Sequence, residues 1–168
     1  MAILTTSGRT AMALAIMAQP VYLAWGAGSP TWDVTPVAED PAAAALVAEV
    51  GRRAVTLAQY VTPDPAGSII VPNGTFSPSA TPTNNIYCRF NFDFTDSPTA
   101  TIREAGIFVG TQIASGLPAG QTYFVPDDTA NGGINDVTNP GTLLVLEHFP
   151  AFTRSSAVRQ SFEYVITF

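Results

Sequence analysis

The chain has 168 residues, with seven arginines, no lysine and thirteen carboxylates, for a net charge of −6. That balance argues against nucleic-acid binding, which shows as a basic patch, and one histidine with one cysteine cannot build a Cys/His zinc site or an internal disulfide. Charged residues are 12% of the chain against 46% hydrophobic ones, the balance expected of a subunit whose outside is covered by neighbours. The length fits one domain over residues 1–168, with a helix-containing part at 1–51 suited to attachment and a β core with long loops at 52–168.

Ala11 to Ala18 is apolar and follows Arg9, so a secretory signal has to be weighed. The run is too short to span a bilayer, and we read it as a helix of the folded chain. Thr5, Thr6 and Ser7 are candidate N-caps, and Pro20 stops it. Such a short helix is unstable alone and must dock on something. Val21 to Trp25 reads as a strand that ends in the turn cluster Gly26 to Pro30. A second helix is signposted by Asp40 as N-cap, Pro41 at the first position and Gly51 past the end, with Ala42–Ala45, Leu46, Val47 and Val50 between them.

Beyond Arg52 the helical periodicity stops. Val55–Val61, Ser68–Val71, Thr101–Val109, Tyr123–Val125, Thr142–Phe149 and Phe162–Phe168 read as strands. The clearest is Ile86–Phe94, with Ile86, Cys88, Phe90, Phe92 and Phe94 alternating against Tyr87, Arg89, Asn91 and Asp93, the period of a strand with one face in a core. Pro72–Asn85 and Ile113–Gly141 read as long loops. The fold class expected is β-rich α+β: an antiparallel β-sandwich or barrel-like core with two helices on the N-terminal side.

Chemistry is sparse. Glu147 and His148 are neighbours on a strand, so they point to opposite faces and make a poor dyad, although a hydrolase built on one of them in a cleft remains an alternative. Cys88 on the apolar face reads as a buried, inert thiol. Asp127, Thr129, Asn131 and Gly132 loosely fit the front of a calcium loop, but the twelfth position is Thr138, and a solvated turn fits better. Asn73-Gly74-Thr75 matches the glycosylation sequon without secretory context, and Gly26-Ala27-Gly28 lacks the third glycine of a phosphate loop. Arg103 and Glu104 stand out, because charges in an apolar strand are costly unless paired or exposed. They suit either a solvent-facing pair on an edge strand, a structural ion pair or a contact to another subunit. Arg52-Arg53, just after the expected helix, suits an interaction with its last carbonyls.

Four stretches resemble tail proteins of contractile-tailed bacteriophages, of the tail-fibre, collar-type or baseplate-attachment kind. They are Leu4-Thr5-Thr6-Ser7-Gly8-Arg9 before the Ala-rich helix, Leu23-Ala24-Trp25-Gly26-Ala27-Gly28, Leu46-Val47-Ala48-Glu49-Val50-Gly51-Arg52-Arg53, and Thr101-Ile102-Arg103-Glu104-Ala105-Gly106-Ile107-Phe108, the last being the most specific. The resemblance implies a non-enzymatic virion protein at the baseplate or tail-fibre junction, without cofactor or membrane insertion. It would connect baseplate wedge components to fibres by protein–protein contacts, in multiple copies or as a homo-oligomer. The contact candidates are Leu4, Met12 and Ile16 in the helix, Trp25 and Trp32 around the first turn, Phe76, and the pair Arg103 and Glu104. The alternative from another class is a carbohydrate-binding sandwich that recognises host glycans through an exposed aromatic beside acids, such as Tyr123 with Asp127 and Asp128.

Overall fold

The structure, a computed structural model, describes residues 2–126 and 135–168. In chain order its elements are α1 (Thr6–Met17), β1 (Val21–Gly26), a 3-10 turn η1 (Pro30–Asp33), β2 (Glu49–Ala54), β3 (Leu57–Pro63), β4 (Ile69–Val71), β5 (Gly74–Pro78) and β6 (Asn85–Phe92). There follow β7 (Thr101–Val109), β8 (Gln112–Ile113), β9 (Tyr123–Phe124), β10 (Val137–Asn139), β11 (Thr142–Thr153) and β12 (Gln160–Thr167). The chain forms two compact units: Met1–Gln19 with Val55–Asn91 and Ser161–Phe168, and Pro20–Ala54 with Phe92–Gln160. It is β-rich, as expected, and the β1–β2, β1–β7, β7–β11 and β3–β6 pairs are all antiparallel. Among the described residues no helix is long and apolar enough to cross a membrane.

The first unit carries α1 and a five-stranded sheet in the order β12-β6-β3-β5-β4. Thr5 is the N-cap, its side chain accepting from the Gly8 N–H at 3.2 Å, and the helix buries only Ala13. Val61, Ile69, Val71, Phe76, Tyr87 and Val165 form the core, with Leu57 packed against it. Phe76 corrects the expected loop at Pro72–Asn85. A turn at Pro72-Asn73 folds β5 back on β4 with Val71 opposite Gly74 and Ile69 opposite Phe76, so one aromatic among polar residues anchors a whole strand. The expected one-sided burial of the best strand is also corrected. Ile86, Cys88 and Phe90 are buried on one face of β6, but Tyr87 is buried on the other, among the core residues just named. Phe94 lies past the strand's end and is exposed, with the Arg159 guanidinium over its ring at 4.7 Å.

The second unit holds a five-stranded sheet in the order β11-β7-β1-β2-β9 and the small pair β10-β8. Here β7 is an inner strand between β1 and β11, not an edge. The expected second helix is absent, and α1 is the only α-helix among the described residues. Asp40 does cap, but it caps a turn: its carboxylate accepts from the Ala42 N–H at 2.8 Å, and its carbonyl from Ala43 at 2.9 Å. Further along, Leu46 is drawn into the core beside Ala24 and Phe108, and Glu49–Ala54 joins the sheet as β2. An isolated helix of this length is marginal in water even when Ala-rich, so these tertiary contacts outweigh local propensity. Arg52-Arg53 therefore meets no helix end. Arg52 forks onto Glu49 at 2.8 and 2.7 Å, donates to the Pro140 carbonyl at 2.7 Å and lies over the Phe108 ring.

Cys88 is 1% exposed, and burial pushes its thiol up to about 12. The thiolate is the reactive species, so at pH 8 almost none is present. A thiol reagent should leave the native chain unlabelled over hours and label it stoichiometrically in denaturant, read by mass spectrometry.

Candidate functional site

Arg103 and Glu104 are adjacent on β7, so their side chains leave opposite faces of the sheet. Both are buried. They do not pair with each other, and neither points to solvent as an edge-strand pair would. Arg103 grips Asp33 of η1 with a two-point fork, Nε to Oδ1 at 2.8 Å and Nη2 to Oδ2 at 2.7 Å, and its Nη1 donates to the Ala27 carbonyl at 3.0 Å. This fork holds the Asp33 carboxyl below the usual aspartate range. On the other face the Glu104 carboxylate accepts the Val47 N–H at 3.1 Å and the Ala48 N–H at 3.0 Å. One dipeptide thus clamps both ends of the segment 27–48.

The chain makes room for each grip. Gly26 sits directly opposite Glu104 in the β1–β7 register, and a Cβ on it would lie 2.3 Å from Glu104 Oε1. Gly28, with φ of +55°, lies under the Trp32 ring, which a Cβ would meet at 2.4 Å. Gly106 leaves the space that Leu46 and Leu143 fill. On the same sheet Trp25 is fully buried and stacked on Phe92 at 3.6 Å, with its Nε1 donating to the Tyr123 hydroxyl at 3.1 Å. Arg154 lies over the Trp25 ring at 5.0 Å and donates to the Asp93 and Val158 carbonyls at 2.7 and 2.9 Å.

Clamping the segment creates a cleft of about 480 Å³ lined by Trp32, Asp33, Pro36, Val37 and Glu39 on one side and His148, Phe149, Pro150 and Ala151 of β11 on the other. The β11 wall is a bulge. His148 pairs with Glu104 and Phe152 with Ile102, so residues 149–151 stand opposite Arg103 alone. Pro150 has no N–H to give to a ladder, which suits it to this place. Trp32 stacks on His148 with ring centroids 4.5 Å apart. The His148 Nδ1 lies 2.8 Å from the Val37 carbonyl, so that nitrogen carries the proton, and the His148 backbone N–H donates to Glu39 Oε1 at 3.0 Å. That last bond is the main cause holding the Glu39 carboxyl below the usual glutamate range. His148 is thus used as a stacking and bonding surface.

Of the contact candidates, Leu4 and Met12 are exposed, Ile16 is half-buried, and Trp32 is half-buried in the cleft wall. Trp25, Phe76, Arg103 and Glu104 are buried within the chain. The Tyr123 hydroxyl is taken by Trp25 and Ser97, while Asp127 and Asp128 and most of the expected calcium loop lie outside the described residues. Among the described residues no group of three or more His, Cys, Asp or Glu side chains could hold a metal ion. Sequence reasoning missed Asp33, Val37, Glu39 and the wall at Phe149–Ala151. The one available signal was Pro150 at the end of a predicted strand, the mark of a bulge.

Two outcomes test the clamp. Glu104→Ala removes the acceptor for two backbone N–H groups and should cost about 1–3 kcal/mol, with Glu104→Gln costing roughly half, read by chemical denaturation. Both should speed proteolytic nicking within residues 34–47. Asp33 and Glu39 bind protons less readily in the fold than in the unfolded chain. Their contribution is therefore complete above the unfolded values of about 4 and is lost as pH falls through the lower folded ones. The melting temperature of the natural chain should fall more steeply from about pH 5 to 2 than that of Asp33→Asn/Glu39→Gln.

No curated protein matches this chain. A family model described as baseplate wedge 3 tail fiber network component matches residues 1–168. The resemblance read from the four stretches at 4–9, 23–28, 46–53 and 101–108 and the match over the whole length agree. The chain belongs to that baseplate wedge and tail-fibre network family, and it is a structural, non-enzymatic component of the baseplate region of a phage tail.

Proposed function

We propose that the chain is a connector of the tail-fibre network, present in several copies, that meets neighbouring baseplate and fibre proteins through two apolar faces. The observation that carries this is where the exposed large apolar side chains fall. Of the ten among the described residues, Ile3, Leu4, Met12 and Leu14 belong to α1 and its lead-in, and Val34, Val37 and Val47 belong to the clamped segment. The other three are scattered. Large exposed apolar groups gathered in two short segments mark contact surfaces, whereas single ones need no explanation.

On α1 the residues Gly8, Met12 and Ile16 recur every four positions and so follow one another along the helix, with Leu4 of the lead-in against Gly8. The exposed Ala11, Ala15 and Ala18 continue the apolar surface, and small side chains let a partner backbone come close. A helix apolar nearly all round belongs inside an assembly. The cleft is the second face. Its walls are aromatic, proline and valine groups held by charged anchors, so little ordering remains to be done on binding.

Neighbouring baseplate and fibre proteins co-purified with a tagged chain should drop at least tenfold for Leu4→Asp/Met12→Asp, with circular dichroism unchanged. Wild-type recovery by that variant would remove α1 as a contact face.

A further inference from the structure

We propose that the two faces fit each other between copies: the lead-in and first turn of α1 of one copy seat in the Trp32–His148 cleft of the next. This rests on both being contact faces and adds the partner, a second copy of this chain.

The two faces are complementary in kind. Arg9 is the only charged side chain in the first 32 residues, and α1 has no acidic residue in its first turn. The partial positive charge of the helix start is therefore uncompensated, and Arg9 adds to it. The cleft carries the opposite sign. Asp33 is neutralised by Arg103, but among the described residues no arginine forms an ion pair with Glu39, whose carboxylate is held by backbone N–H groups, that of His148 first. Around these charges both faces are apolar: Ile3 is 80% and Leu4 52% exposed on one, and Val37 is 50% exposed beside Trp32 and Phe149 on the other.

Size restricts what enters. A cleft of about 480 Å³ takes the side chains of a short extended segment and not the body of a helix. Residues 2–4 are a short segment outside any regular element that leads into α1. Leu4 leans over Gly8, where a Cβ would meet its Cδ1 at 3.0 Å, so the glycine keeps the lead-in close to the first turn with Arg9 beside it. Each copy carries one face of each kind, so the contact is head-to-tail. Such contacts repeat into rings or open arrays instead of stopping at a dimer.

Sedimentation velocity on the full chain tests this. The natural chain should associate beyond dimer as concentration rises into the high micromolar range. Leu4→Asp destroys the inserted face and Val37→Asp the receiving face, each placing a carboxylate in an apolar contact. Each alone should weaken association at least tenfold with the melting curve unchanged. Mixed in equal amounts, they should form a dimer and nothing larger, because one intact face of each kind remains and the damaged pair repel. Trp32→Ala gives a second receiving-face variant if Val37→Asp misfolds. A natural chain that stays monomeric, single variants that associate like it, or a mixture that stays monomeric would each overturn the pairing. Retained capture of neighbours by the natural chain in the co-purification experiment would then show that the contact role stands without it.

Discussion

Two adjacent side chains, Arg103 and Glu104, fix the segment 27–48 and with it one wall of the Trp32–His148 cleft. Because strand neighbours face opposite ways, they reach both sides of the sheet from one place and take hold of Asp33 and of the Val47 and Ala48 amides. Between those grips lies a segment with no regular structure apart from η1 and a turn at Asp40. Without them it would be a loop of some twenty residues with exposed valines. A loop that long and apolar would be an aggregation hazard; held at both ends, it becomes one wall of a shaped cleft.

The same device explains why the chain uses arginine and no lysine. A guanidinium offers five donors in a plane, so it can satisfy a carboxylate at two points and still reach a carbonyl. Arg103 does this with Asp33 and Ala27, and Arg52 with Glu49 and Pro140. Arg154 reaches the Asp93 and Val158 carbonyls and lies over Trp25. An ammonium could not cover that many acceptors in fixed directions. The low charge content is thus divided: Arg52, Arg103, Arg154 and several carboxylates are spent as internal ties, which leaves few charges to solvate the surface around α1 and the valines of the clamped segment. These ties specify one arrangement more than they add stability, since a buried pair gives up hydration to form.

Strands were legible where a short, largely apolar run met turn residues. Val21–Trp25 and Thr101–Val109 are found within a residue of expectation. The second helix was misread for a physical reason. Asp-Pro followed by alanines carries the signals of a helix start, yet the outcome turned on Glu104, fifty-six residues from Ala48 in sequence, which offers those amides an acceptor no local rule can see. Phe76 was unreadable for the converse reason: a strand fixed by one aromatic shows no period. Of the site, the charged dipeptide could be singled out as anomalous, but Asp33 as its partner could not. The cleft depends on a bulge whose only trace is Pro150.

The stretches that carried the family resemblance look unrelated along the chain. In the fold three of them, those at 23–28, 46–53 and 101–108, are parts of one joint within the second unit. Gly26 gives way to the Glu104 carboxylate, Gly28 to Trp32, and Gly106 to Leu46, while Ala27 and Ala48 close the base of the segment with an N–H to carbonyl bond of 2.8 Å. Each of these glycines sits where a methyl group would collide with a side chain of the joint: the Glu104 carboxylate, the Trp32 ring, or Leu143 and Leu46. The sequence pattern is therefore a record of steric clearance around the clamp and not of a catalytic centre. The cost of ordering the segment is met within the fold itself, so little of the free energy of a contact made there would be diverted into arranging it.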